Sequence, residues 1–468
     1  MVTHNCSLDL SPPINREMKE LDTSFFRKEF PVIRARFDDP RIIQKFIRSH
    51  PQDVLSGKGL RNIVKIGDYT VRAVLLTDRL TKISDASKIL SESCLEYFKK
   101  EQIPLQNHTL VIDYDFWSTE EILGAILPED LLDNIPSGFS QTGHVAHLNL
   151  RDEYKPYKKL IGEVVLSKNP SIETVVDKVD SIATEYRTFK MEVLAGKPDL
   201  LVTHKEQNCI FQFDFEKVYW NSRLQAEHER LVQIFKPGEL VLDAMAGVGP
   251  FTVPAAKKGV ISIANDLNPD SYHFLKQNIA KNNVSNFIKP FNDNGHDFIK
   301  NCMTYIEQFH KETNGIIKVE IKKPKTKSSS SSSSSTPANK KPRTPTEYKD
   351  ISIPKFPNHF VMNLPDSAIE FVNDYIGIFA NHEELKSLPN FELPMVHVYC
   401  FQKFSPDEPE PTEKELESRV RDRIVEKLQY NDLKIDDINF KLIRKVSPTK
   451  PMYRASFRLP EEVAFKKV

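Results

Sequence analysis

Three features that define many protein classes are scarce or absent in this sequence of 468 residues, and cysteine is the first. The five cysteines are scattered without CxxC spacing and without paired histidines: Cys6, Cys94, Cys209, Cys302 and Cys400. This spacing excludes a zinc knuckle and gives no disulfide framework, so we expect no metal site and a reducing compartment.

Long apolar runs are the second missing feature. A membrane-spanning helix needs roughly 18 uninterrupted apolar residues, whereas runs such as Val241 to Phe251 are short and broken by Asp and Gly. The amino-terminal segment also lacks a continuous apolar stretch and carries acidic residues. We therefore expect no membrane insertion and no secretory signal, and a location in cytoplasm and nucleus, with the mitochondrial matrix left open.

An excess of one charge is the third absence, because 65 Lys and Arg residues balance 65 Asp and Glu residues. A nucleic-acid partner usually leaves a basic footprint on a protein. Any surface that binds nucleic acid must therefore be local.

One segment has almost no apolar residues. Residues 321–347 contain a run of eight serines flanked by Lys and Pro. Such a segment cannot bury enough surface to offset the entropy lost on ordering, so we predict a disordered insertion. Its role is open between a plain tether and a lysine-bearing RNA contact or nuclear signal.

The stretch that follows Gly238 predicts the fold class. GELVLDAMAGVGPF and ISIANDLNPDSYHFLKQNIAKNN alternate buried strands with helices, which is typical of a parallel sheet in an α/β domain. Beyond the serine run, HFVMNLPDSAIEFVNDY predicts another strand, a turn at Pro365 and a helix, and MVHVYCFQKF predicts a further strand. FKLIRKVSPTKPMYRASFRLP predicts a closing hairpin. The serine insertion consequently interrupts one domain.

Upstream of this domain the sequence predicts smaller α+β domains. Residues 113–132 contain Ser118 and Glu121 in a capping-box pattern and predict an amphipathic helix. We divide the chain into an amino-terminal domain at 1–135, a small α+β domain at 136–210, and a catalytic domain at 211–468 that the insertion interrupts.

Polar residues at three predicted strand ends indicate a cofactor site. In DAMAGVG, Asp243 can accept from an ammonium group, while Gly247 and Gly249 let the backbone approach a ligand closely. Asp266 ends the next strand, where an acid can hold two ribose hydroxyls, and Leu267 would face an adenine. Residues 292–295 (NDNG) end a third strand, where one side chain could bind the adenine amino group. This set matches S-adenosylmethionine.

Several blocks together resemble the archaeal and eukaryotic tRNA guanine-37 N1-methyltransferase family. They occur in the family's order from about residue 110 to the end: GHVAHLNLR (143–151), YRTFKMEVLAG (186–196), VYWNSRLQAEHERL (218–231), DAMAGVGPF (243–251), NDLNP (265–269) and NLP (363–365). The resemblance implies a Rossmann-like class I methyltransferase domain and S-adenosylmethionine as cofactor. It implies tRNA as partner, bound at its anticodon loop and its body, with residues 1–135 as the tRNA-recognition domain. It also implies a monomer that supports reading-frame maintenance and the first step of wybutosine synthesis in tRNA-Phe.

The resemblance assigns roles to individual residues. Glu227 matches the general base, Arg187 an arginine that steadies the base's O6, and Asn363 the amide that orients the base and lies at the cofactor. The cofactor contacts implied are His228, Asp243, Gly247, Gly249, Asp266, Leu267, Asn294 and Gly295. The family carries Asp where Asn294 stands, so the adenine contact of this residue departs from the pattern.

The residues also suit the reaction on chemical grounds. Guanine N1 carries a proton, so its methylation needs a base for that proton while negative charge builds on O6. A carboxylate and a guanidinium meet these two needs. Taken without the family, Glu227 fits a helix residue that is solvated or paired with a neighbour, and Arg187 fits a surface ion-pair residue. The spacing leaves Asn363 open between a helix cap and a functional residue. We expect Tyr219 and Trp220 to pack in a core rather than stack on a base.

Three other functions stay open at this point. A sister enzyme in wybutosine synthesis transfers the aminocarboxypropyl group of the same cofactor, and NLP with Arg187 and Glu227 favours methyl transfer over it. A noncatalytic tRNA-binding protein would be expected to lose Asp243, Gly247, Asp266 or Asn363. A methyltransferase acting on protein or a small molecule is the third alternative.

Overall fold

A computed structural model describes residues 7–66, 71–179, 186–320 and 348–467. The chain divides into two compact units. The first comprises Met1–Ser140, Ala146–Lys178 and Glu192–Pro198, and the second comprises Gln141–Val145, Val179–Met191 and Asp199–Val468. The predicted insertion at 321–347 lies outside the described residues, and the domain boundaries predicted after residues 135 and 210 stay predictions.

The strands of the first unit are β1 Lys28–Phe37, β2 Ile63–Ile66, β3 Val71–Leu75, β4 Leu105–Ile112 and β7 Thr174–Lys178, while β5 Ser140–Thr142, β6 Val145–Leu148 and β8 Met191–Gly196 each cross a boundary between units. Its α-helices are α1 Ile43–Ser49, α2 Ala86–Ile89, α3 Glu92–Lys100, α4 Thr119–Ile126 and α5 Lys158–Lys168.

The first unit contains an antiparallel sheet in the order β2-β3-β1-β4. Alternate residues of β1 point to a core that Phe46 of α1 and Phe98 of α3 complete. The predicted capping box at Ser118 and Glu121 is confirmed at the start of α4. That helix is shorter than predicted and ends at Ile126, because Pro128 disfavours a helical backbone at the preceding residue, Leu127.

The strands of the second unit are β9 Leu201–Glu206, β10 Cys209–Asp214, β11 Leu240–Asp243, β12 Ile261–Asn265, β13 Ile288–Phe291, β14 Ile316–Glu320, β15 Tyr348–Ser352, β16 His359–Met362, β17 Met395–Phe401, β18 Ile438–Ser447 and β19 Lys450–Arg458. Its α-helices are α6 Gln225–Ile234, α7 Thr252–Lys257, α8 Pro269–Lys281, α9 Gly295–Lys300, α10 Cys302–Thr313, α11 Glu413–Leu428 and α12 Glu461–Ala464.

A seven-stranded sheet in the order β13-β12-β11-β16-β17-β19-β18 forms the centre of the second unit. The strands from β13 to β17 are parallel, and β19 and β18 add an antiparallel hairpin. All residues of β11, β12 and β16 are buried, as expected for strands covered on both faces. The predicted α/β class, the succession β11-α7-β12-α8 and the closing hairpin are confirmed.

The helix predicted after Pro365 is confirmed as a short 3₁₀ helix. Residues Ala368–Tyr375 form a 3₁₀ helix rather than an α-helix. Ile369, Val372 and Tyr375 are buried at intervals of three, which aligns them on one face of a helix with three residues per turn. The spacing of the buried residues therefore fits the helix type that the structure shows.

Within the described ranges, no helix has both the length and the apolar character needed to cross a membrane. The same ranges contain no group of three or more His, Cys, Asp or Glu side chains placed to hold a metal ion.

Candidate active site

The turn after β11 contains the first predicted cofactor residues. Asp243 has no exposed surface, and its Oδ2 has no hydrogen-bond partner among the described residues. Gly247 and Gly249 have φ angles of +55° and +94°, where glycine is favoured. In the described structure, a Cβ on Gly247 would meet no atom within 4 Å, whereas one on Gly249 would lie 2.8 Å from Leu275 Cδ1. The turn thus contains both open backbone and an unpartnered carboxylate oxygen.

The electrostatics of this turn suit a cationic ligand. Burial, with a smaller contribution from the nearby Asp266, raises the pKa of Asp243 to about 8, and burial raises the pKa of Asp266 to about 6. A bound ammonium group would stabilise the ionised form of Asp243. The amino-acid part of S-adenosylmethionine carries such a group, so the orphaned oxygen and the open surface at Gly247 fit this cofactor.

Asp266 follows β12 and binds the same turn. Its Oδ2 accepts from the backbone N of Gly247 at 2.7 Å, and its Oδ1 accepts from Asn268 N at 2.9 Å. The Ser271 side chain is a third donor to this carboxylate. Since two carboxylate oxygens offer about four lone pairs, the group can still accept from a ribose hydroxyl. Leu267 is 39% exposed beside it, a position open to a flat ring.

The segment after β13 contains the predicted adenine residues. Asn294 is the N-cap of α9, and its Oδ1 accepts from His296 N at 2.8 Å, which leaves its Nδ2 for a ligand. Gly295 is buried, and a Cβ there would approach Phe371 Cε1 to 3.0 Å. The neighbouring Asp293 carries the acid that the sequence lacks at Asn294, and its Oδ2 accepts from Tyr305 at 3.0 Å.

Asn363 directly follows β16, which is the strand adjacent to β11. Its Oδ1 is buried without a partner among the described residues. Because an unpaired buried oxygen costs free energy, its presence indicates a place for a ligand donor. Asp243 and Asn363 therefore bring two such oxygens to the carboxyl edge of adjacent parallel strands, where ligands of α/β sheets bind.

Arg187 lies against the loop that contains Asn363. Its Nη1 donates to Asp366 Oδ2 at 3.0 Å and its Nη2 to Ser367 Oγ at 3.2 Å. The hydrogen bond from Arg187 lowers the pKa of Asp366. Arg187 itself has a φ angle of +55°, which is uncommon for a residue with a side chain. Sequence reasoning missed Asp366 and Ser367, although they immediately follow NLP.

Glu227 occupies a buried polar network rather than a solvated helix face. Its side chain is 3% exposed on α6. Its Oε1 accepts from Tyr399 Oη at 2.9 Å and from Arg454 Nη1 at 2.7 Å, and its Oε2 accepts from Arg230. None of its hydrogen bonds within the described residues goes to Arg187 or Asn363. Sequence reasoning gave no indication of Tyr399 or Arg454.

His228, the next residue on α6, is also buried. Its Nδ1 lies 2.7 Å from Oε1 of the fully buried Glu206. Burial alone would raise the pKa of Glu206, but hydrogen bonds from His204 and His228 outweigh it and lower this pKa to about 2. Glu206 therefore fixes the orientation of the His228 ring and leaves its Nε2 as the atom that could face a ligand.

The two aromatic residues before α6 have different environments. Trp220 packs at 4.9 Å from the ring of Phe213 and 5.2 Å from that of His204, as predicted for a core residue. Tyr219 is 46% exposed, so its predicted core position is wrong. The two side chains separate because neighbours in an extended segment point in opposite directions.

The chain is similar to known proteins over most of its length. Residues 202–318 match the TRM5/TYW2 methyltransferase domain, and residues 119–199 match the TYW2 N-terminal domain. A relative from Candida albicans (strain WO-1), named tRNA (guanine(37)-N(1))-methyltransferase, is 49% identical over 97% of this chain and 98% of its own. A relative of the same name from Saccharomyces cerevisiae is 45% identical over 97% of this chain and 95% of its own.

Solved structures share the fold at low sequence identity. The complex of aTrm5 with tRNALeu aligns with a TM-score of 0.57 and 18% identity over 92% of this chain and 100% of the other. Trm5b from Pyrococcus abyssi aligns with a TM-score of 0.55 and 19% identity over 92% and 99%. The expected Rossmann-like class I methyltransferase fold is thereby confirmed. With relatives this similar along almost its whole length, the chain belongs to the TRM5/TYW2 methyltransferase family, among its tRNA (guanine(37)-N(1))-methyltransferases.

Proposed function

We propose that this protein methylates N1 of guanosine 37 in tRNA, next to the anticodon, with S-adenosylmethionine as the methyl donor. The observation that carries the proposal is the pair of unpartnered buried oxygens on Asp243 and Asn363 at the carboxyl edge of the sheet. The near full-length relatives that bear the name of this activity support it.

The cofactor supplies an activated methyl group on a sulfonium. In the proposed complex, Asp243 binds its ammonium group and the backbone at Gly247 and Gly249 lies against its amino-acid part. Asp266 accepts from the ribose hydroxyls, and Leu267 packs on the adenine. The remaining proposed contacts come from Asn294, Gly295 and His228.

The target guanine needs three functions from the protein. Glu227 accepts the N1 proton, so that the N1 lone pair is free to attack the methyl carbon. Arg187 donates to O6, where negative charge builds as that proton leaves. Asn363 has both a donor and an acceptor with which to fix the edge of the base.

Tracing two labels tests the reaction type. Purified protein is incubated with a tRNA transcript and S-adenosylmethionine labelled either in the methyl group or in the amino-acid carbons. Transfer of the methyl label alone is expected. Transfer of the amino-acid label would instead identify the aminocarboxypropyl reaction, and transfer of neither label would contradict catalysis on tRNA.

We also propose a monomer located in cytoplasm and nucleus, with the mitochondrial matrix as a further compartment to examine. The family resemblance motivates the first statement, and the cysteine pattern and amino-terminal composition motivate the second. Light scattering on the purified protein tests the first, where a dimer mass would contradict it. Imaging of a fluorescent fusion tests the second, where exclusion from both cytoplasm and nucleus would contradict it.

A further inference from the structure

The strongest unassigned feature of the second unit is the buried network around Glu227. Tyr399 on β17 and Arg454 on β19 are direct partners in the antiparallel register of these strands. Side chains directly opposite on such strands share one face of the sheet. Both reach the same oxygen, Oε1 of Glu227, at 2.9 and 2.7 Å.

Packing fixes the two donors in place. Tyr399 is fully buried and shares an apolar cluster with Leu231 of α6 and Phe251. Its ring centroid lies 6.0 Å from that of Phe251. The side chain of Arg454 is 4% exposed, and Glu227 is its ion-pair partner within the described residues. A buried guanidinium without this carboxylate would be a large electrostatic cost, so the pair is held firmly.

The donors to the two oxygens of Glu227 differ in their exposure to solvent. Oε1 receives two buried donors, whereas the one donor to Oε2 among the described residues is Arg230, whose side chain is 46% exposed. An exposed side chain can move into solvent at little cost, whereas the buried donors cannot. Oε2 is therefore the oxygen that can exchange its partner.

We propose that Tyr399 and Arg454 are positioning residues that hold Glu227 through Oε1, so that Oε2 accepts the N1 proton of the guanine. This role rests on the proposed function. The proton passes from N1 to Oε2, while the N1 electron pair forms the bond to the methyl carbon and the electrons of the old carbon–sulfur bond stay on sulfur. Tyr399 and Arg454 keep their own protons throughout.

The sharpest variant is Tyr399→Phe, which removes only the hydroxyl. Its matched control is Tyr453→Phe, because Tyr453 is equally buried on β19 but belongs to the cluster on the other face of the sheet. Arg454→Lys keeps the charge and tests rescue. Each variant is made in the wild-type protein and in Glu227→Gln, and its thermal midpoint is measured to verify folding.

The readout is the single-turnover rate of methyl transfer to tRNA at saturating cofactor, together with the cofactor Kd. We expect Tyr399→Phe to slow transfer about tenfold with a cofactor Kd within about twofold of wild type, since a hydrogen bond to a charged group is lost. The control Tyr453→Phe should leave the rate unchanged. Arg454→Lys should retain more activity than Arg454→Met, because it keeps the charge. In the Glu227→Gln background, Tyr399→Phe should cause no further slowing.

Two results would overturn the inference. The first is an unchanged rate in a folded Tyr399→Phe protein, and the second is equal slowing in the wild-type and Glu227→Gln backgrounds. Absence of methylation by the wild-type protein is a different failure, because it would refute the proposed function itself and this role with it.

Discussion

Asp243 ends β11 and Asn363 follows the adjacent parallel strand β16. Each has a buried side-chain oxygen without a hydrogen-bond partner among the described residues. Such oxygens are destabilising in the free protein and become satisfied by a ligand. These two oxygens therefore lower the stability of the ligand-free protein and favour the binding of a ligand.

Asp243→Asn should abolish measurable cofactor binding and stabilise the ligand-free protein. The raised pKa of Asp243 reflects the cost of a buried carboxylate, and a neutral amide removes that cost, so stability at pH 8 should rise by on the order of 2 kcal/mol. Calorimetry of binding and thermal unfolding measure the two effects. Retained affinity would contradict the ammonium contact.

The same pKa sets a pH dependence. Because the folded pKa of Asp243 is raised to about 8 from an unfolded value near 3.8, the folded state binds more protons, and this group lowers stability as pH rises from about 4 to about 8. Cofactor binding needs the ionised form, so affinity should increase from pH 6 to pH 8. Isothermal titration checks this, with 5′-methylthioadenosine as the control.

The control ligand lacks the ammonium group, so its affinity should not follow the ionisation of Asp243. Equal pH dependence of both ligands would assign the effect to another group.

Gly247 and Gly249 should respond differently to alanine. At Gly249 the new Cβ would lie 2.8 Å from both Leu275 Cδ1 and Val253 Cγ2, so Gly249→Ala should destabilise the protein by about 2 kcal/mol. At Gly247 the space is open among described atoms, so Gly247→Ala should cost about 1 kcal/mol and mainly weaken cofactor binding. Thermal midpoints and Kd values separate the two, and the reverse ranking would contradict the open surface at Gly247.

Arg187→Ala should slow methyl transfer about 100-fold, because the charge on O6 would lose its donor. Asp366→Asn should slow it only severalfold, since the ion pair that orients Arg187 is partly exposed. The control is Glu370→Gln, which breaks the ion pair with Lys427 close by in the sequence and should leave the rate unchanged. An Arg187→Ala protein with normal single-turnover rates would exclude this arginine from the reaction.

Glu227→Ala should be a poor probe of catalysis because it leaves Arg454 as a buried unpaired charge. A loss of about 3 kcal/mol in stability is expected, compared with a much smaller loss for Glu227→Gln. Chemical unfolding of both variants checks this. Equal stability of the two would show that Arg454 finds another partner or water.

The cofactor turn was predictable because its signals are local. Asp243, Gly247 and Gly249 lie within seven consecutive residues, and strand periodicity places Asp266 and residues 292–295 at the same edge of the sheet. The hydrogen-bond network of Glu227 was not predictable, because Tyr399 and Arg454 are 172 and 227 residues away from it along the chain. Only the order of the strands in the sheet brings them to α6.

Errors in the sequence predictions have similarly specific causes. Residues 113–132 were assigned one helix because the apolar pattern continues through Pro128, although that proline ends α4. Tyr219 was assigned to a core together with Trp220, although only the tryptophan faces the rings of Phe211 and Phe213. In the first case the helix was predicted but its end was not, and in the second the aromatic pair was recognised but the orientation of Tyr219 was not.

Locating the methyl group on the tRNA product tests the proposed reaction most directly. Transcripts with G37 and with G37→A are treated with wild-type protein and with Glu227→Gln, whose cofactor Kd and thermal midpoint are measured in parallel. We expect N1-methylguanosine at position 37 in the G37 transcript alone, formed at least 100-fold more slowly by a folded, cofactor-binding Glu227→Gln protein. Methylation of the G37→A transcript at another position, or an unchanged rate with Glu227→Gln, would contradict it.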